Sequence, residues 1–350
     1  MMLLLLALLQ EPELQRVPFP DPRVQVHGLP WFAEDSPVLR RLPGRMKDKL
    51  RKPVWDLAQH PSGGRLRFRT DSTRVSIAAQ SADTGNMHHM TLVGQSGFDC
   101  YADGEYVNSA WPDKTGKIEK TWSVGAARAM RDVVIYLPLY KGVAIREIGV
   151  EAGAKLEAPT AYALPKPVVW YGSSITQGGC ASNAGLSAQA ILGRRLNTDF
   201  VNLGFSGNGL GEPELAEAVA ELDAVAYVLD FWGNPTPEVY EKNLPPFVDV
   251  VRKKHPGTPI LVTGPIWFPG EALGGPLAEA QQRKRAFGRA FVEERRKAGD
   301  AGIEWVDGLQ MLNREQGAGL VDGIHPNSLG FWFCANGFEP PLRRALGLPR

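Results

Sequence analysis

Val168-Val169-Trp170-Tyr171-Gly172-Ser173-Ser174-Ile175-Thr176-Gln177-Gly178 is the stretch on which the reading of this chain turns. Four bulky apolar residues end in a glycine, and small hydroxyl-bearing residues follow before a helical pattern expected to start near Ser182. A short continuous apolar run closed by glycine fits a strand buried on both faces of a parallel sheet. That strand hands Ser173 and Ser174 to the carboxyl edge of the sheet, where open α/β sheets bind ligands. Position 176 is Thr, so the spacing is not the Gly-x-Ser-x-Gly elbow, which needs its second glycine there.

Working outward, residues 166–350 read as strict alternation. Strands are expected at 168–171, 200–203, 224–231, 260–266 and 304–306, and helices at 186–196, 212–222, 237–254, 277–297 and 328–346. Such alternation implies a five-stranded parallel sheet covered on both faces and joined by right-handed crossovers. In that architecture the loops following the strands open on one edge, so distant residues meet only if they sit in those loops. Three further segments do. Asn202-Leu203-Gly204-Phe205-Ser206-Gly207-Asn208-Gly209 follows the second strand, with glycines that let backbone N–H groups face a ligand or simply turn tightly. Leu229-Asp230-Phe231-Trp232-Gly233-Asn234-Pro235 follows the third, with an asparagine that is ordinarily a turn former. Asp322-Gly323-Ile324-His325 precedes the last helix, where an aspartate three residues before a histidine can fold back onto the imidazole.

These four segments resemble the motifs of the SGNH hydrolase superfamily, also called GDSL esterases. The resemblance implies a three-layer flavodoxin-like domain with Ser174 as nucleophile, His325 as general base and Asp322 as its orienting carboxylate. It assigns an oxyanion hole to the backbone N–H groups of Ser174 and Gly207 and the side-chain amide of Asn234. Two departures stand out: Ser173 occupies the middle of the Gly-Asp-Ser-like turn, and Gly233-Asn234-Pro235 replaces the usual Gly-x-Asn-Asp.

The first half reads differently. Short alternating segments at 65–69, 74–79, 90–93, 105–107, 118–124, 133–139 and 144–150 are separated by turn signals such as Ser62-Gly63-Gly64 and Ala102-Asp103-Gly104. That spacing indicates an antiparallel β-sandwich of jelly-roll type. Gly97-Phe98-Asp99-Cys100-Tyr101, with the strand around 67–72 and His89-Met90, is similar to the Gly-x-Asp-Leu-Tyr domain that precedes the catalytic domain in one bacterial branch of SGNH esterases. Cys100 stands where that branch has leucine. His88 and His89, taken as strand neighbours, point to opposite faces and do not share an ion.

Prolines 159, 165 and 167 mark a boundary, giving a leader at 1–16, a sandwich domain at 17–165 and a hydrolase domain at 166–350. The apolar stretch at 1–9 is too short to span a bilayer as a helix and fits the core of a secretory signal, so a secreted or periplasmic location is expected, without stable membrane insertion. The proline-rich segment 11–22 reads as an extended tether. A formal net charge of +1 gives no electrostatic case for nucleic acid or an anionic membrane surface. Three scattered cysteines suggest neither a disulfide framework nor a zinc site, and Cys180 reads as a small buried residue. No metal or organic cofactor is called for.

The resemblance implies hydrolysis of short-chain acyl esters, acetyl groups first, on carbohydrates or their oligosaccharides. Trp232, Trp267, Phe268 and Trp332 are candidates for stacking on sugar faces or for core packing. Acyl transfer with the same triad, or a non-catalytic carbohydrate-binding role, are the alternatives.

Overall fold

A computed structural model describes residues 13–85 and 87–349. Among the described residues the first half carries ten strands: β1 (Leu14–Pro18), β2 (Gln25–His27), β3 (Arg65–Thr70), β4 (Arg74–Ser81), β5 (Phe98–Ala102), β6 (Glu105–Ala110), β7 (Lys117–Ser123), β8 (Arg131–Tyr136), β9 (Val143–Glu151) and β10 (Leu156–Glu157). They form two antiparallel sheets, β1-β9-β4-β7 and β10-β3-β8-β5-β6, with β2 beside β3. Inward residues of both sheets, among them Phe68, Ile77, Phe98, Cys100, Trp122, Ile135 and Ile148, bury one common apolar layer, as expected of a sandwich. Three short helices accompany them: α1 (Phe32–Asp35), α2 (Lys52–Ala58) and α3 (Leu92–Ser96).

The second half is the expected doubly wound sheet. Its strands β11 (Val168–Gly172), β12 (Phe200–Gly204), β13 (Ala226–Asp230), β14 (Ile260–Thr263) and β15 (Ile303–Val306) are all parallel in the order β12-β11-β13-β14-β15. Every residue of β11, β12, β13 and β14 is buried, which accounts for apolar runs in place of alternation. The helices are α4 (Ser174–Gln177), α5 (Ala188–Leu196), α6 (Pro213–Glu221), α7 (Pro237–Lys254), α8 (Pro276–Lys297) and α9 (Ser328–Leu346). Gly172 pairs with Gly204 on one side and Asp230 on the other, so the three central strands end level and their loops share one rim.

Three expectations are corrected. Residues 90–93 are not a strand: the Thr91 hydroxyl accepts the Gly94 N–H at 3.0 Å and caps α3, which leaves His88 and His89 in the turn before it. The strand in this region is β5, over the Gly-x-Asp-x-Tyr segment itself. The tether also becomes partly strand, because Leu14–Pro18 pairs edge-on with β9 and buries Val17; proline at a strand end on an edge removes no ladder bond. Ordered sandwich structure therefore begins before residue 17. The leader expected at 1–16 lies outside the described residues as far as residue 12. Finally, a helical turn starts at Ser174, eight residues earlier than the pattern near Ser182 suggested.

The halves interlock. Trp31, Leu42, Met46, Val54, Tyr101, Tyr136, Leu139 and Tyr140 of the first half join the apolar core of the parallel sheet. Asp99, fully buried, accepts from the Gly185 N–H at 2.7 Å and the Ser109 hydroxyl at 2.6 Å. Burial raises its pKa, against the pull of those donors. Tyr101 lies under the Arg194 guanidinium at 4.2 Å from the ring centre. The Gly-x-Asp-x-Tyr segment thus docks the loop that leads into α5. Arg41, also fully buried, donates to the carbonyls of His60 at 2.8 Å, Leu57 at 2.7 Å and Gly204, across the junction.

Candidate active site

The site begins with Gly172. A side-chain carbon there would lie 1.9 Å from Thr176 Oγ1, so only glycine lets the chain fold from β11 into α4. Ser173 caps that turn, its hydroxyl accepting the Ile175 N–H at 3.2 Å, and Ser174 takes the first helical position. The Ser174 N–H, at the start of a helix, has no preceding turn to bond. Ser174 as a whole is only 6% exposed.

His325 is held by a compact loop before α9. The Val321 N–H bonds the His325 carbonyl at 2.9 Å, and Asn327 caps α9 through Gly330 at 3.0 Å. Asp322 uses both oxygens: Oδ1 accepts the backbone N–H groups of Ile324 at 3.0 Å and His325 at 2.8 Å, while Oδ2 lies 2.7 Å from His325 Nδ1. The other ring nitrogen, Nε2, lies 2.9 Å from Ser174 Oγ. Burial pushes the Asp322 pKa up, but these bonds and the imidazole outweigh it and bring it down to about 2. A carboxylate ionised at every working pH fixes the proton on Nδ1 and leaves Nε2 free to accept.

The two remaining loops meet beside this line. Gly207 has φ of 69° within a turn closed by the Asn208 N–H on the Phe205 carbonyl at 2.9 Å, and its N–H meets no protein acceptor among the described residues. The neighbouring Ser206 N–H is held by Gln177 Oε1 at 3.0 Å. Asn234 Oδ1 accepts from the Gly209 N–H at 3.1 Å, which ties the second loop to the third. Gly233 packs on Ser173, where an added carbon would come within 3.0 Å of the hydroxyl. Ser174, at the first position of α4, and the loops that carry Gly207, Asn234, Asp322 and His325 thus share one rim.

Sequence reasoning missed the braces. Gln177 also donates to the Leu139 carbonyl at 3.0 Å, and Tyr140 donates to the Ser174 carbonyl at 3.3 Å, so the first half touches the serine turn directly. Asp230, buried behind it, accepts from Thr176 at 2.8 Å and Trp232 at 2.9 Å. That bond explains why Trp232 is no sugar platform: it is 1% exposed, and Phe268 packs beside it, also buried. Trp332 is half exposed and lies under Arg195. Cys180 is buried, as read.

The model of the GDSL-like Lipase/Acylhydrolase family matches residues 165–343, and that of the N-terminus of Esterase_SGNH_hydro-type matches residues 19–156. No curated protein matches the sequence. Among solved structures, one from Bacteroides ovatus described as a GDSL-like lipase is 28% identical, with a TM-score of 0.87, covering 96% of this chain and 99% of its own. A salicylyl-acyltransferase from a tetracycline biosynthetic pathway is 22% identical, with a TM-score of 0.80, covering 95% and 98%. A family two carbohydrate esterase from Clostridium thermocellum, solved with cellohexaose, is 16% identical with a TM-score of 0.62, covering 82% and 93%, a likeness of fold. With its own family model spanning the half that carries the serine, imidazole and carboxylate, this chain belongs to the GDSL-like lipase/acylhydrolase family.

Proposed function

We propose that this protein is an exported serine esterase that removes short acyl groups, acetyl first, from carbohydrates through an acyl-enzyme at Ser174. The observation that carries the reading is the unbroken line from Ser174 Oγ through both nitrogens of His325 to Asp322, at 2.9 and 2.7 Å. A serine hydroxyl is a weak nucleophile at neutral pH and needs a base within hydrogen-bond reach. In this reading Ser174 Oγ attacks the acyl carbon as His325 Nε2 takes its proton. The tetrahedral oxygen is met by the N–H groups of Ser174 and Gly207 and the Asn234 amide. His325 then gives the proton to the departing sugar oxygen, and water repeats the sequence on the acyl-enzyme. Asp322 keeps the imidazole in the required tautomer and stabilises its charged form.

The carbohydrate part draws support from a cleft of about 690 Å³ formed by Met87, His88, Leu92, Gln95, Trp111 and Pro112 among others. Trp111 is 51% exposed there, a face suited to a sugar ring. Its neighbours at 87–90 lead to the triad, since the His89 ring centre is 5.5 Å from that of His325. The sandwich would then shape the leaving-group side of the site. Acetate release from acetylated xylan or glucomannan, measured beside an aryl acetate, tests the reading. Release from both, lost in Ser174→Ala, is expected. Turnover of the aryl ester alone removes the carbohydrate assignment, and product appearing only on an added alcohol acceptor makes the protein a transferase.

A further inference from the structure

Among the described residues, one cluster of metal-ligating side chains shares His325 with the triad and draws its other two members from outside it. His89 comes from the turn before α3, Cys180 from the segment after α4, and His325 from the loop before α9. One ligand atom from each, two ring nitrogens and the Cys180 sulfur, all lie within 4.8 Å of one another. The two imidazoles face each other at 5.5 Å and 45°. Tetrahedral zinc, with bonds of about 2.0–2.1 Å to nitrogen and about 2.3 Å to sulfur, needs such atoms roughly 3.5 Å apart. The widest pair must close by about an ångström, and the His89 side chain, exposed and carried on a turn, can move toward the other two.

We propose that His89, Cys180 and His325 form a binding site for a borderline-to-soft divalent cation of the zinc type, and that its occupation switches the esterase off. One sulfur and two imidazole nitrogens suit Zn²⁺, Cd²⁺ or Co²⁺ and not Mg²⁺ or Ca²⁺, which take oxygen. Asp322 already occupies His325 Nδ1 at 2.7 Å, so Nε2 is the nitrogen left for the cation. A carboxylate on the far nitrogen of a ligating histidine is the usual support of a zinc imidazole. The Nε2 lone pair that would accept the Ser174 proton is then committed to the metal. Coordination replaces the Cys180 thiol proton, which leaves to solvent, and the fourth position stays open to water. The switching half rests on the esterase reading; the binding half does not.

The test is calorimetric titration of the full chain with ZnCl₂, paired with aryl-acetate hydrolysis. One Zn²⁺ per chain is expected, with affinity falling at least about tenfold in Cys180→Ser and in His89→Ala, about ten- to a hundredfold in Asp322→Asn, and not at all in Ser174→Ala. Wild-type hydrolysis should stop on Zn²⁺ and return with chelator. Cys180→Ser should hydrolyse at the wild-type rate, and both it and His89→Ala should keep their own metal-free rates at the Zn²⁺ concentration that silences the parent. Zn²⁺ binding unchanged in both variants, or absent from the wild type, overturns the proposal. The predicted binding pattern without any hydrolysis to inhibit upholds the cation site and contradicts the esterase reading instead.

Discussion

Asn234 turns its carbonyl oxygen to the Gly209 N–H at 3.1 Å, which leaves its two amide hydrogens on the opposite side of the group. The pairing fixes an orientation that Pro235, in place of the motif's usual aspartate, left open in the sequence. Removal of one oxyanion donor costs about 10²–10³ in kcat. Asn234→Ala should lose that much turnover with KM little changed and Tm within a few degrees of the parent. Wild-type kcat in this variant would take Asn234 out of the mechanism.

Asp322→Asn should leave the loop folded and lower kcat by about 10⁴, because an amide no longer selects the Nδ1–H tautomer. The same carboxylate carries a stability signature. Its pKa is depressed from 3.8 to about 2 in the folded chain, so its contribution is present above 3.8 and disappears as pH falls through 2. The stability difference between parent and Asp322→Asn, followed by denaturant melts from pH 5 down to pH 2, should narrow across that window. A constant difference would contradict the assigned shift.

His60 sits at the junction of the halves, where burial first, then the charge of Arg41, lowers its pKa from 6.5 to about 3. A folded pKa below the unfolded one means the unfolded chain binds more protons between the two values. Stability is therefore full above 6.5 and falls as pH drops toward 3, by at most about 1.4 kcal/mol per unit from this group. His60→Gln should flatten the stability profile over that range; an unaltered slope would contradict it.

Arg41→Met should destabilise the whole chain. Burial lowers the guanidinium pKa to about 9, which still leaves it charged at neutral pH, and it satisfies carbonyls of Leu57, His60 and Gly204. Stranding buried acceptors costs about 1–3 kcal/mol each, so a loss of at least about 3 kcal/mol is expected in urea melts. A loss below about 1 kcal/mol would show that water reaches those carbonyls.

The parts of the site that were legible in the sequence are those whose chemistry is local. A buried apolar run must end somewhere, and Gly172 with Ser174 marks where; Asp322 and His325 need only a four-residue turn to meet. The braces depend on how one half docks on the other. Nothing in the spacing of Gln177, Leu139 and Tyr140 announces that they meet behind the serine, nor that His89 and Cys180 approach His325. Segment 90–93 misled because Met90, Leu92 and Val93 look strand-like, whereas the Thr91 cap and Gly94 decide for a helical turn. Trp232 looked like a binding-site aromatic because it adjoins Asn234, yet its indole is spent on buried Asp230.

The central claim is that Ser174 is a nucleophile activated by His325. The most direct measurement is covalent labelling of the full chain with a fluorophosphonate probe, read by intact mass and peptide mapping. One probe per chain on Ser174 Oγ is predicted, with labelling abolished in Ser174→Ala and strongly slowed in His325→Ala. An unlabelled wild type, or a label that persists at another residue when Ser174 is replaced, would contradict it.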